Sequence, residues 1–84
     1  FPYTTLFLSE AIEFFRRSIQ LYGLTPSTAY DLGVCHYELQ QLNEAGAWAD
    51  RALALDPEYE PAKTLRIRIE SQVTRAASTA DAPA

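Results

Sequence analysis

The stretch AYDLGVCHYELQQLNEAGAWADRALALDP at residues 29–57 holds two helix-length apolar patterns separated by a short break. In each half, apolar residues recur every three or four positions, which is the period of an amphipathic helix. Gly33, Ala45 and Ala52 are small residues that fall where two such helices would touch, and the pair Asp56-Pro57 ends the second helix and closes the unit. The stretch therefore predicts a helix–turn–helix unit with two closely packed antiparallel helices.

This spacing resembles the tetratricopeptide repeat, a helix–turn–helix unit of about 34 residues. The matching positions are its Leu-Gly pair, two of its small sites and its terminal proline, here Leu32, Gly33, Ala45, Ala52 and Pro57. Three positions depart from the pattern, where an aromatic, a tyrosine and a bulky aromatic are usual: Ala29, His36 and Ala49. The resemblance implies an all-α solenoid of stacked helix pairs.

A partial copy of the unit precedes it. Sliding the chain against itself by the ~34-residue repeat length aligns Ala11 with Ala45 and Leu8 with Leu42. Phe15 then falls on the bulky-aromatic position that Ala49 leaves vacant. We therefore interpret residues 8–22 as the second helix of a repeat whose first helix is absent.

Capping residues set the bounds of four predicted helices, at about residues 9–22, 26–40, 43–55 and 60–76. Ser9, Thr25 and Asn43 carry side-chain oxygens that accept hydrogen bonds from the first free N–H groups of a helix. Pro26 suits the first helical position, where its missing N–H leaves no bond unmade. Gly23 favours the left-handed conformation that ends a helix.

Helix one is apolar around more of its surface than one neighbouring helix can cover. Its predicted core stripe is Ala11, Phe15, Ile19 and Tyr22, and we expect Phe14 or Ile12 to be exposed. Helix four carries a second stripe, and its opposite side is polar, as a terminal capping helix requires. That stripe consists of Ala62, Leu65, Ile69, Val73 and Ala76.

The predicted fold is all-α, with antiparallel helix–turn–helix repeats stacked as a right-handed α-solenoid and a C-terminal capping helix. Residues 1–8 are an N-terminal arm, for which native sequence and non-native sequence are two open interpretations. The remaining segments are a truncated repeat at 9–23, a complete repeat at 25–57, a capping helix at 58–76 and a disordered tail at 77–84. This arrangement favours the C-terminal part of a longer repeat protein.

Composition narrows the functional classes. The 84 residues carry a formal charge of −4, which disfavours nucleic acid as a partner because phosphate binding needs a basic surface. One cysteine forms no internal disulfide, so the cytoplasm is slightly favoured and the compartment stays open. No apolar run approaches the ~20 residues that span a bilayer.

The sequence contains few residues in patterns that are typical of catalysis or metal binding. His36 has no partner residues at metal-ligand spacing, and we interpret it as a core histidine, with Cys35 as a small buried residue. Glu10 and Glu13 belong to a solvated face. Phosphate-binding loops, nucleophile elbows and zinc-protease motifs are absent from the sequence. We expect no catalysis, no metal and no cofactor in this segment.

The family resemblance implies that the concave side, lined by the first helix of each repeat, is the functional surface. The residues that map onto it are Ser27, Tyr30, Val34, Tyr37, Glu38, Thr64 and Arg68. Tyr30 and Tyr37 are the predicted anchors, because tyrosine offers apolar area with a polar tip. The alternative is that both tyrosines pack against neighbouring helices. The Lys, Arg and Asn residues with which some repeats grip a C-terminal carboxylate are missing.

We therefore predict a protein–protein interaction scaffold that binds a peptide or helix of a partner on its concave face. Two alternatives come from other classes. The segment could be a regulatory or substrate-positioning appendage of a larger enzyme. It could also be a self-association module that forms a homo-oligomer through the uncovered face of helix one.

Overall fold

The computed structural model describes the backbone of residues 2–81 and the side chains of residues 6–75. Four helices and no strand make up this part of the chain. They are α1 (Pro2–Tyr22), α2 (Pro26–Glu38), α3 (Leu42–Leu55) and α4 (Glu60–Asp81). The all-α fold class predicted from the sequence is confirmed.

The helix α2 is central, because it packs against α1, α3 and α4, while α3 also packs against α4. The core between these helices consists mainly of small side chains, with Leu32 as the largest side chain that is fully buried. Small side chains let helix backbones approach closely. The buried apolar residues are Ala29, Leu32, Cys35, Ala45, Ala49, Ala52, Ala62, Leu65 and Ile69.

Gly33 lies where α2 packs tightly against both α3 and α4. A Cβ atom on Gly33 would stand 2.9 Å from Leu65 Cδ2 and 3.4 Å from the Ala45 carbonyl oxygen. Glycine in a helix interior is less favourable than alanine by up to about 1 kcal/mol. The close packing of α2 against α3 and α4 offsets this loss, as the small-residue pattern predicted.

The turn between α2 and α3 is closed by two backbone hydrogen bonds. The Gln40 N–H donates to the Tyr37 carbonyl at 3.0 Å, and the Gln41 N–H donates to the His36 carbonyl at 2.9 Å. This pair of bonds is the Schellman arrangement, in which the residue after the cap adopts a left-handed conformation. Gln40 has a φ of 62°, a conformation that favours glycine. The sequence predicted a break here, but it did not reveal the left-handed conformation of Gln40, since no glycine stands at this position.

Other helix ends agree with the predicted capping residues. Thr25 Oγ1 accepts a hydrogen bond from the Thr28 N–H at 3.1 Å, and Pro26 opens α2. Gly23 has a φ of 85° and follows the last residue of α1. Asp56 is the C-cap of α3, as the sequence predicted.

The predicted starts of helices one and three were wrong. Helix α1 begins at Pro2, so Ser9 lies inside it. Proline is favourable at a first helical position, and two threonines lower helix propensity only slightly, so nothing in the sequence stops the helix there. Helix α3 begins at Leu42 after the N-cap Gln41, which forms no side-chain cap bond, and Asn43 lies within the first turn.

Two further ends differ from the expectation. Helix α2 ends at Glu38, two residues before the predicted end, because the left-handed Gln40 stops it. Helix α4 continues to Asp81, so residues 77–81 of the expected tail are helical. Alanine is the strongest helix former, and the tail has no glycine or proline before Pro83. Residues 82–84 of that expected tail lie outside the described residues.

The predicted stripe residues are at least partly buried except Tyr22 and Val73, and the side chain of Ala76 lies outside the described residues. Tyr22 is 83% exposed and Val73 is 47% exposed, although both were expected in the core. Each lies beyond the part of its helix that a neighbouring helix covers. Phe14 is 65% exposed, which confirms the expectation that the face of helix one is not fully covered.

The close approach at Gly33 can be tested with a pair of substitutions. Gly33→Val should destabilise the fold by about 1–3 kcal/mol, because the added atoms overpack the contact with Leu65. Gly46→Ala is the control, since its Cβ would meet only Ile69 Cγ2 at 4.0 Å. That change should stabilise α3 by up to about 1 kcal/mol. Urea unfolding followed by circular dichroism measures both, and equal effects would contradict this account.

The left-handed residue at the α2–α3 turn gives a second test. Gln40→Gly should raise the free energy of unfolding by about 0.5–1 kcal/mol, because glycine adopts a positive φ without strain. Gln20→Gly is the control, since Gln20 is an exposed residue within α1, where glycine should lower stability by a similar amount. Thermal unfolding of the two variants should therefore shift in opposite directions.

Candidate functional site

A groove of about 250 Å³ runs between α2 and α4. Its lining residues define what we term the α2–α4 groove: Tyr30, Val34, Tyr37, Glu38, Pro61, Thr64, Leu65 and Arg68. The structure therefore brings together six of the seven residues that were mapped onto the concave face. Ser27 is exposed near the start of α2 and does not line the groove. Pro61 and Leu65 were not among the mapped residues.

Helical spacing explains why these side chains lie together. Tyr30, Val34 and Tyr37 follow one another at intervals of four and three, so they share one face of α2. Thr64 and Arg68 are four residues apart on α4 and likewise share a face. Because α2 and α4 are in contact, the two faces form the walls of one groove.

The two tyrosines both pack against the core and line the groove. Tyr30, Val34 and Tyr37 are partly buried against a core cluster of Ala45, Ala49, Leu65 and Ile69. The Tyr30 ring also meets the Tyr59 ring edge to face, with centroids 6.0 Å apart. Such aromatic pairs add about 0.5–1.5 kcal/mol beyond their buried area. Tyr30, Val34 and Tyr37 are therefore held in place by the same packing that stabilises the helices.

Two exposed charges of opposite sign lie among the groove residues. Glu38 belongs to the last turn of α2 and Arg68 to α4, and neither forms an ion pair within the described residues. Two Tyr hydroxyl groups and the hydroxyl of Thr64 add donors and acceptors along the groove. The groove thus combines an apolar floor with a polar rim.

The other basic residues of α4 are largely engaged by acidic neighbours. Lys63 Nζ lies 3.2 Å from Glu58 Oε2 and 3.4 Å from Glu60 Oε1. The hydrogen bond to Glu58 raises the pKa of the Lys63 ammonium group. Arg66 pairs with Asp50 of α3 and with Glu70 on its own helix. Exposed pairs of this kind contribute little stability, but they leave less free positive charge for an acidic partner.

The buried polar residues of α2 form no reactive pair. His36 and Cys35 are both 6% exposed, as expected of core residues. His36 Nδ1 lies 2.6 Å from Gln41 Oε1, so Nδ1 carries the proton because an amide oxygen only accepts. His36 Nε2 is buried and has no hydrogen-bond partner among the described residues. Burial and the negative charges of Asp31 and Glu38 raise the pKa of the Cys35 thiol.

The described part of the chain contains neither a metal-binding cluster nor a membrane-spanning helix. No group of three or more His, Cys, Asp and Glu side chains lies close enough together to hold a metal ion there. Within the same residues, none of the helices has the length and apolarity that crossing a membrane requires.

Comparison with known proteins gives two similarities. Residues 26–59 match the family model of the tetratricopeptide repeat. The chain is also similar to the protein CTR9 homolog of Arabidopsis thaliana, with 35% identity over 51 residues. That alignment covers 60% of this chain and 5% of the plant protein, so the chain spans only a small part of that relative's length. No solved structure matches the chain.

The carboxyl group of Asp31 gives a test of the electrostatics beside the groove. Burial raises its pKa above the ordinary value of 3.8, so the ionised form weakens the fold at neutral pH. Asp31→Asn should therefore raise the free energy of unfolding at pH 7, by less than about 1 kcal/mol. The gain in the free energy of unfolding should shrink as the pH falls towards 3.8. Asp31 then becomes protonated in the folded state at a higher pH than in the unfolded state, so its penalty disappears.

Urea unfolding of both proteins between pH 7 and pH 4 measures this difference. Asp50→Asn is the control, because it removes an exposed carboxylate that pairs with Arg66. It should leave stability unchanged or slightly lower at pH 7. A gain for Asp31→Asn that does not vary with pH would contradict a role for the raised pKa.

Proposed function

We propose that the chain is a protein–protein interaction module whose α2–α4 groove holds a segment of a partner protein, because residues 26–59 match the tetratricopeptide-repeat model. Repeats of this architecture present concave surfaces to their partners. The observation that carries the proposal is the convergence of six mapped residues from two different helices on one groove. The occupant that fits is a peptide or a helix, with its side chains entering between α2 and α4.

The size and chemistry of the groove support a peptide rather than a small molecule. Small-molecule pockets enclose about 300–1,000 Å³, whereas this groove has about 250 Å³ and lies open along its length. That volume suits one or two side chains of a longer segment. Tyr30, Val34 and Tyr37 supply apolar contact area, and tyrosine is among the residue types that carry most binding energy at interfaces.

The charged groups are suited to fix the direction of the bound segment. Glu38 would attract a basic side chain, and Arg68 would offer a planar guanidinium group to a carboxylate. Charges at the rim of an interface affect specificity and association rate more than affinity. The groove walls are fixed by core packing, so little conformational entropy would be lost on binding.

A peptide selection tests this proposal without a known partner. Peptides would be selected from a displayed random library against the full chain, and their affinities measured with purified variants. Tyr37→Ala and Arg68→Glu should each weaken binding by ~10-fold or more, as expected for a central anchor and a reversed charge. Circular dichroism would confirm that each variant is folded.

Matched controls separate a groove effect from a general one. Tyr22→Ala removes an exposed tyrosine of α1, and Arg16→Glu reverses an exposed charge of the same helix. Both should leave peptide affinity within about twofold of the wild type, since surface changes away from a site have small effects. Peptides that bind all four variants equally, or that are weakened only by the α1 changes, would refute the α2–α4 groove as the binding surface.

A further inference from the structure

The outward side of α1 carries large apolar residues that the described helices leave uncovered. Phe14 is 65% exposed and Leu21 is 73% exposed, and both project from the same side of the helix. We call this surface the α1 outer face, and it consists of Leu6, Phe7, Glu10, Phe14, Arg17 and Leu21. It shares no residue with the α2–α4 groove.

A hollow of about 370 Å³ lies at the centre of this face, and every residue that lines it belongs to α1. Four of the lining residues, Glu10, Glu13, Phe14 and Arg17, have the spacing i, i+3, i+4 and i+7. Four residues at this spacing form the hole that receives a side chain of a facing helix in knobs-into-holes packing. The surface is therefore shaped to receive another helix.

The charges of the hollow are arranged so that the face complements itself. Glu10 and Glu13 lie towards the N-terminal side of Phe14, and Arg17 lies towards the C-terminal side. None of the three forms an ion pair within the described residues. Glu10 and Arg17 lie at equal distances on either side of a point between Glu13 and Phe14. A twofold rotation about that point exchanges the acidic and basic positions.

We propose that the α1 outer face binds the same face of a second copy of this chain, with the two α1 helices antiparallel. A twofold axis close to Phe14 would bring the two Phe14 rings together and place Glu10 of each copy opposite Arg17 of the other. The same rotation places Leu21 opposite Leu6, another exposed apolar residue. The charged residues Glu10 and Arg17 and the leucines Leu6 and Leu21 of the face then each meet a complementary group.

The antiparallel arrangement follows from the charges. A parallel pair would set Glu10 against Glu10 and Arg17 against Arg17, which is repulsive at both positions. The segment from Leu6 to Leu21 is about 23 Å long at 1.5 Å per residue. A contact of this length buries less than ~1,200 Å², so the dimer belongs to the weak and transient class. We expect a dissociation constant of roughly 10 μM to 1 mM.

Sedimentation equilibrium of the full chain over a concentration series tests the proposal. The weight-average mass of the wild type should rise from that of a monomer towards that of a dimer. Phe14→Glu should weaken dimerisation by at least ~10-fold, since it places a charge at the centre of the contact. Ile67→Glu is the control, because Ile67 is equally exposed on α4, and it should dimerise as the wild type does.

Charge reversal tests the orientation of the two helices. Glu10→Lys and Arg17→Glu should each weaken the dimer, and the double variant should restore it because the opposite charges again face each other. Circular dichroism would confirm that all variants are folded, as expected for exposed positions. A wild-type chain that stays monomeric up to ~1 mM would overturn the proposal. A double variant no better than the singles, or unaffected dimerisation of Phe14→Glu, would also overturn it.

Discussion

The close approach of α2 to α3 and α4 at Gly33 is the constraint on which the rest of this structure depends. The missing side chain at Gly33 gives Leu65 room to lie against α2, and the neighbouring alanines keep the helix axes close. Small side chains bury a modest area per residue. The stability of this core therefore comes from dense van der Waals contact along the whole interface of α2 with α3 and α4. A larger side chain at this position would separate the helices.

The same packing of α2 against α3 and α4 determines the shape of the candidate binding surface. Because α2 contacts both α3 and α4, some of its side chains are fully buried and others are only partly buried. Leu32 and Gly33 are buried, while Tyr30 and Tyr37 lie half-buried at the edge and form a wall of the groove. The groove is therefore a consequence of helix packing, and its two tyrosines pack against the core beneath them.

The helix α1 has an apolar side that no other helix among the described residues covers. Its inward side packs against α2, yet Phe14 and Leu21 remain exposed on the other side. Scattered exposed apolar residues are ordinary, but a stripe that follows the helical period is not. The acidic and basic residues interleaved in this stripe suit an antiparallel copy of the same surface.

The sequence by itself determined the repeat, the helix periodicity and the residues that share each face, because these depend on local spacing. Thr25, Gly23 and Asp56 marked helix ends through their own chemistry. Only the tertiary structure decided the rest. No glycine signals the left-handed conformation of Gln40 in the turn after α2. The exposure of the Tyr22 and Val73 side chains depended on how far a neighbouring helix extends along α1 and α4. The α2–α4 groove likewise depends on contacts between residues distant in sequence, which periodicity within one helix does not specify.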